Sequence, residues 1–271
     1  MQTSTCKLTF CLIAFAVLVI LNCDTNPGLE PIRSGIQGTI TYSGEWPATP
    51  AEVRIVSAKK FPPTDLNDLI IGESIPVNST SYPYTFYVKP GTYPLLGVAW
   101  RAQDASWDII SICGLYFSGS DSLSPGELIV NNNRDVVPDI NIHVNRSRAH
   151  KVTDTKITGH LSFNGAWPDS VSEARVIATT RFSVFPSIVL PTLLDIAFSN
   201  SIPRDATEGE YTIGAYPGTF AAIGVLFIKP GQTLGLGDIA YSISVGGLNA
   251  TPLVVNENET AVGPSFEIEF K

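Results

Sequence analysis

The stretch Tyr84-Thr-Phe-Tyr-Val-Lys-Pro-Gly-Thr-Tyr93 returns later in the chain as Tyr211-Thr-Ile-Gly-Ala-Tyr-Pro-Gly-Thr-Phe220. Each copy is an alternating apolar run, a Pro-Gly corner and a second run that opens on Thr and an aromatic residue. Alternation with period two marks a strand with one buried face. Proline presets φ for the second position of a turn, and glycine accepts the positive φ that a type II turn asks of the third. Each copy is therefore expected to be a β-hairpin closed at its Pro-Gly corner.

Working outward, the duplication extends over most of the chain. Gly38-Thr-Ile-Thr-Tyr-Ser-Gly-Glu-Trp-Pro47 aligns without gaps on Gly159-His-Leu-Ser-Phe-Asn-Gly-Ala-Trp-Pro168, an offset of 121. Glu52-Val-Arg-Ile-Val56 keeps that register against Glu173-Ala-Arg-Val-Ile177. Beyond it the offset becomes 127, with Ser74-Ile-Pro76 on Ser201-Ile-Pro203 and Pro90 on Pro217. The closing runs Asp139-Ile-Asn-Ile-His-Val144 and Ser265-Phe-Glu-Ile-Glu-Phe270 both alternate strictly. Pro63–Ile70 and Pro191–Phe198 are expected short helices, because Leu66, Leu69 and Ile70, like Leu194, Ala197 and Phe198, fall at i, i+3 and i+4.

The 271-residue chain has 22 Gly and 20 Pro against only 15% charged residues, a composition of short strands joined by turns. About seven strands per copy at regular spacing predict an all-β chain of two tandem antiparallel Ig/prealbumin-like β-sandwiches. The expected limits are residues 34–147 and 154–271, each folding on its own. The order Gly-x-Ile-x-Tyr-x-Gly-x-x-Pro, a Val-x-Val strand and the Pro-Gly-Thr-Tyr corner resembles the carboxypeptidase regulatory-like, or transthyretin-like, domain. That resemblance implies non-catalytic modules of the kind that accompany enzymes, transporters and surface proteins.

Residues 1–22 read as a signal peptide. Lys7 precedes an apolar run, Leu8–Leu21, that is shorter than the ~20 residues a bilayer span needs. The run ends in Ile20-Leu21-Asn22-Cys23-Asp24, which is similar to the lipobox of bacterial lipoproteins. The similarity implies lipid attachment at Cys23, with residues 23–33 as a tether. Asn22 stands where that family usually has Gly, Ala or Ser. Ordinary secretion, with cleavage after Ala14-Phe-Ala16, and an uncleaved anchor are the alternatives. Cys6 and Cys11 lie in the leader, so Cys113 is the one cysteine of the body and is expected to be a buried hydrophobe.

A net charge of −8 excludes the basic face that nucleic-acid binding requires. Arg146, Arg148 and Lys151 are the one local basic excess, read here as a solvated linker. His143, His150 and His160 begin no zinc-binding motif, and no Gly-x-Ser-x-Gly elbow presents a nucleophile. No catalytic, metal or cofactor site is therefore expected. Asp65, Asn67 and Asp68, and separately Asp104 and Asp108, are acid clusters better read as solvated turns than as calcium sites. Trp46, Trp100 and Trp167 have aromatic or identical counterparts in the other copy and are expected to pack. Trp107, in the polar run Gln103–Asp108, is the candidate for glycan stacking. Copy two also carries about seven extra residues ahead of Pro191. The insert and the residues just after it contain Phe185, Ile188, Leu190, Leu194 and Phe198, a dense apolar stretch expected to contact the other copy or a protein partner rather than its own domain. The sequence thus predicts a lipid-anchored envelope protein, bound to the membrane through its lipid, with a structural or protein-binding role. Carbohydrate binding at Trp107 is the alternative.

Overall fold

The computed structural model describes residues 34–63, 66–119, 122–183, 191–229 and 236–270. Cys23, Phe185, Ile188 and Leu190 lie outside these residues. Strands are the dominant regular structure of the described residues. In the first copy they are β1 (Gly35–Ser43), β2 (Pro50–Ala58), β3 (Leu69–Ile75), β4 (Ser81–Tyr87) and β5 (Gly91–Tyr93). There follow β6 (Leu95–Ala102), β7 (Ile112–Leu115), β8 (Leu128–Val130), β9 (Val136–Val137) and β10 (Ile142–Asn145). The second copy has β11 (Lys156–Asn164), β12 (Glu173–Thr179), β13 (Ile196–Phe198), β14 (Ile202–Pro203), β15 (Glu208–Gly214) and β16 (Gly218–Phe220). It continues with β17 (Ala222–Ile228), the helix α1 (Leu236–Ser244), β18 (Leu248–Asn249), β19 (Leu253–Val255), β20 (Thr260–Val262) and β21 (Phe266–Glu269).

The two copies share one topology. In the first, the sheet β10-β1-β4 faces the sheet β3-β2-β6-β7, with β5 and β8 paired beside them. In the second, β15-β11, flanked by β20 and β21, faces β13-β12-β17-β18, and β16 pairs with β19. Inward residues alternate along the strands: Tyr84 and Phe86 are buried while Thr85 and Tyr87 are exposed, and Tyr211 and Ile213 repeat the pattern. One core runs from Ile36 to Ala149 and the other from Ile157 to Phe270. Trp100 and Phe227, at matching positions, are both fully buried, and Trp46 stacks on Trp100 at 5.1 Å. Trp167 packs against Phe163 and Phe270. Cys113 is buried as well, and burial pushes its thiol pKa up. It is a small hydrophobe in a strand.

Three expectations need correction. The duplicated stretch is not a hairpin. Tyr84–Tyr87 pairs with β1, whereas Gly91–Tyr93 pairs with β8, so the Pro-Gly corner carries the chain from the β1 sheet to the separate β5-β8 pair. Proline has no N–H to offer a ladder, and Gly91 and Gly218 both take φ 156°, far from the type II value and closed to a residue with a Cβ. The two candidate helices are single 3₁₀ turns, Leu66–Asp68 and Leu193–Asp195, that run straight into β3 and β13. One amphipathic turn is too short to sustain a helix when a neighbouring strand offers its backbone partners, as β12 does to Ile196–Phe198. Finally, the sheets are not wholly antiparallel. β1 runs parallel to β9 and β10, and β11 runs parallel to β20 and β21.

That parallel pairing explains the first repeated glycine. Between β9 and β10 the chain leaves the ladder, and Ile140 donates to the Gln37 carbonyl. A Cβ on Gly38 would sit 1.8 Å from the Ile140 carbonyl oxygen, which no side chain tolerates. The Tyr84 hydroxyl donates to that same oxygen at 2.7 Å. In copy two, Tyr211 donates to the Pro264 carbonyl at 2.8 Å. The opening tyrosine of the duplicated stretch is thus a brace for the interrupted last strand. Helix α1, unforeseen in the sequence, sets Tyr241 edge-on against Phe227 at 5.5 Å and ties Asp238 to Lys229 at 2.9 Å.

Candidate functional site: the cleft between the copies

The copies meet through a third apolar cluster. It unites Ala58, Leu95 and Leu115 of the first with Leu193 of the second, and Phe61, Leu69, Leu194 and Phe198 pack around them. Phe61 and Phe198 meet edge to face at 6.5 Å. The Leu193 amide donates to the Ser122 carbonyl at 2.8 Å. Leu194 and Phe198, candidate contact residues from the sequence, thus lie half-buried where the two copies join.

Polar groups fasten the same junction. Arg148 forms an ion pair with Asp195, whose other oxygen accepts from the Thr192 amide and hydroxyl at 2.8 and 2.9 Å. Burial raises the Asp195 pKa, but the Thr192 hydrogen bonds and Arg148 outweigh it and hold the carboxyl below its usual value. His150 lies flat on Tyr216, ring centres 3.4 Å apart. Burial, reinforced by the charge of Arg148 and opposed by Asp195, holds the His150 pKa down at about 4. The imidazole is neutral near pH 7. Arg146 sits over Tyr42 and Trp46, at 4.7 and 5.5 Å from the ring centres. The basic run is therefore not a solvated linker: Arg146 packs on the first sandwich and Arg148 pairs with the second, because aromatic faces and a carboxylate lie within reach.

Arg175 is the group the sequence exposed without revealing its use. In copy one, Glu52 and Arg54 form a fork: the carboxylate oxygen Oε1 accepts from Nε at 2.7 Å and lies 2.5 Å from Nη2. Arg54 also donates to Gly72 of its own edge strand at 3.0 Å and is about one third exposed. In copy two, Glu173 accepts from Arg175 Nε at 2.9 Å through the corresponding oxygen, and its second oxygen takes the Ser201 hydroxyl. Arg175 Nη1 crosses to the other copy and donates to the Pro63 carbonyl at 3.2 Å. Its side chain is 2% exposed. The Glu-x-Arg repeat was legible in the alignment. Its reuse as a bolt between the copies is visible only in the fold.

Beside these contacts lies a cleft of about 720 Å³. Phe61, Leu66, Ile109, Ile112, Leu194 and Phe198 are among the residues of its apolar wall, and Arg175, His150, Asp108 and Asn200 are among its polar ones. Asp108 is turned to the backbone, accepting from the Ile110 amide at 3.2 Å. Asn200 is engaged by Thr212 and Glu210. Asn67 of the first acid cluster also lines the cleft, whereas Trp107, Asp104, Asp68 and His160 do not. Trp107 is half-buried with the Arg101 guanidinium 5.9 Å from its ring centre, leaving at most one face open. Asp104 pairs with Lys151, Asp68 with Lys60, and His160 with Glu210. Among the described residues no three acidic, histidine or cysteine side chains converge on a metal position.

The chain matches no family model and no curated protein. Several solved structures show a loose likeness. A leucine-rich repeat protein from Bacteroides thetaiotaomicron VPI-5482 is 12% identical with a TM-score of 0.34; the match covers 87% of this chain but 26% of that one. A putative adhesin from Bacteroides ovatus ATCC 8483 is 13% identical with a TM-score of 0.24, over 89% of this chain and 93% of that one. A minor pilin from Streptococcus agalactiae is 11% identical with a TM-score of 0.19, over 86% and 95%. Likenesses this loose say nothing about what the cleft does.

Proposed function

We propose that this chain is a cell-envelope lipoprotein, anchored through Cys23, that holds two carboxypeptidase regulatory-like sandwiches as one fixed unit in a non-catalytic, structural or protein-binding role. The observation that carries the reading is the junction itself. A buried arginine, an ion pair and a shared apolar cluster fasten the copies together. Modules meant to move independently are joined by polar, sparsely contacting linkers, whereas this linker is occupied at Arg146, Arg148 and His150. Such a pair suits a spacer or a display surface at a membrane. The leader that ends at Cys23 supports the anchor.

Metabolic labelling with an alkyne fatty acid tests the anchoring. The label is expected on the wild-type chain and absent from Cys23→Ser, with the variant moving to the soluble fraction. A label that survives the substitution refutes attachment at Cys23.

A further inference from the structure

We propose that the cleft between the copies is a binding site for a small amphiphile, with a carboxylate head on the free edge of the Arg175 guanidinium and a hydrocarbon body along the apolar wall. Nothing in the proposed envelope role requires such a site, so this inference stands apart from it.

Arg175 carries the argument. A guanidinium has five N–H donors in a planar fork. Here Nε is used by Glu173 and one N–H of Nη1 by Pro63, and the side chain is 2% exposed. The other donors have no partner among the described residues, yet the residue lines the cleft. Copy one shows what a saturated version looks like. There Nη2 of Arg54 lies 2.5 Å from the Glu52 carboxylate, which also takes Nε. In copy two the hydrogen bond to Glu173 comes from Nε alone, and Nη2 is left without a hydrogen bond among the described residues on a side chain that lines the cavity. A carboxylate is the group whose two oxygens match that edge.

The rest of the cavity selects the body of the ligand. About 720 Å³ lies within the range of small-molecule sites, and junctions between modules are where such sites form. Phe61, Leu66, Ile109, Leu194 and Phe198 offer no hydrogen bonds, so the part they enclose must be hydrocarbon. The nearby charges do not compete for the head. Asp195 is held by Arg148 and Thr192, and His150 is neutral near pH 7. Asp108, on the wall, would repel a carboxylate, which leaves Arg175 as the anchoring end.

Titration calorimetry on the full chain, with dodecanoate and dodecanol as probes, tests this. Wild type is expected to bind one dodecanoate saturably and dodecanol at least tenfold more weakly, since the alcohol cannot fill the guanidinium edge. Arg175→Gln should erase that preference, and Ile109→Trp, which fills the cavity from a half-buried position outside the cores, should weaken both probes. Should Arg175→Gln fail to fold, the acid-to-alcohol ratio in wild type and the Ile109→Trp result still decide. No saturable binding, uptake of many molecules without a fixed ratio, equal affinity for acid and alcohol, or binding indifferent to Ile109→Trp would each overturn the proposal.

Discussion

Replacing Leu193 with alanine removes three carbon atoms from a side chain that is 5% exposed. At about 0.8 kcal/mol per buried carbon, the lost transfer energy is roughly 2.5 kcal/mol. A residual void adds little, because the site borders an open cleft that can fill with water. What matters is where that energy is lost. Leu193 belongs to neither sandwich core and packs on Ala58, Leu95 and Leu115 of the first copy. The loss should therefore fall on the coupling between the copies and leave the stability of each sandwich nearly intact. Urea unfolding can separate the two effects through tryptophan emission, since Trp46, Trp100 and Trp107 report on copy one and Trp167 on copy two. Wild type is expected to unfold in one transition seen alike at both sets of probes. In Leu193→Ala the less stable copy should move to lower urea by an amount near that coupling energy, and the transitions should part. If an isolated 154–271 fragment loses the same 2.5 kcal/mol on the substitution, Leu193 is core of its own domain and the reasoning fails.

Two further outcomes are expected. Fragments 34–147 and 154–271 should each melt cooperatively with β-type circular dichroism, because each holds a complete set of strands and a core of its own; an unfolded fragment would show that the copies form one composite core. The whole chain should lose stability on acidification from pH 6.5 to about 4: His150 is neutral in the fold throughout that window but gains a proton when unfolded, so the unfolded state binds more protons. The full effect is about 3 kcal/mol, lessened by screening at the cleft mouth, and pH-dependent melts of His150→Phe should lack this component; an unchanged acid slope in that variant would refute the assignment.

The duplication, the strand alternation and the packing tryptophans were legible because all of them are local or periodic. Gly38, Tyr84 and the Pro-Gly corner stood out as repeated signals, yet what they do depends on neighbours far along the chain. A turn motif encodes φ values but not which strand pairs with which, so the corner reads as a hairpin when it is a step between sheets. Leu66, Leu69 and Ile70 satisfy a helical spacing, but the neighbouring strand β2 competed for the backbone of Leu69 and Ile70. The candidate site was least visible of all. Arg148, His150 and Arg175 look like ordinary surface residues until the second sandwich is laid against the first. Part of the signal was present in the matched Glu-x-Arg pairs. What differs between them, the carbonyl that Nη1 reaches, lies in geometry and not in residue type.

The parallel pairing of each copy's first and last strands also has a mechanical meaning. Chain enters copy one at Gly35, at the start of β1, and leaves at Asn145, the end of β10, which lies beside Ser43 at the opposite end of that strand. β11 and β21 repeat the arrangement in copy two, from Lys156 to Glu269. Tension drawn along the chain therefore pulls the two neighbouring strands in opposite directions along their length. The ladder bonds between them run roughly across that pull and share it together, in shear, rather than opening one at a time from an end. A chain held at its N-terminal side and loaded beyond its second sandwich would meet this resistance twice in series.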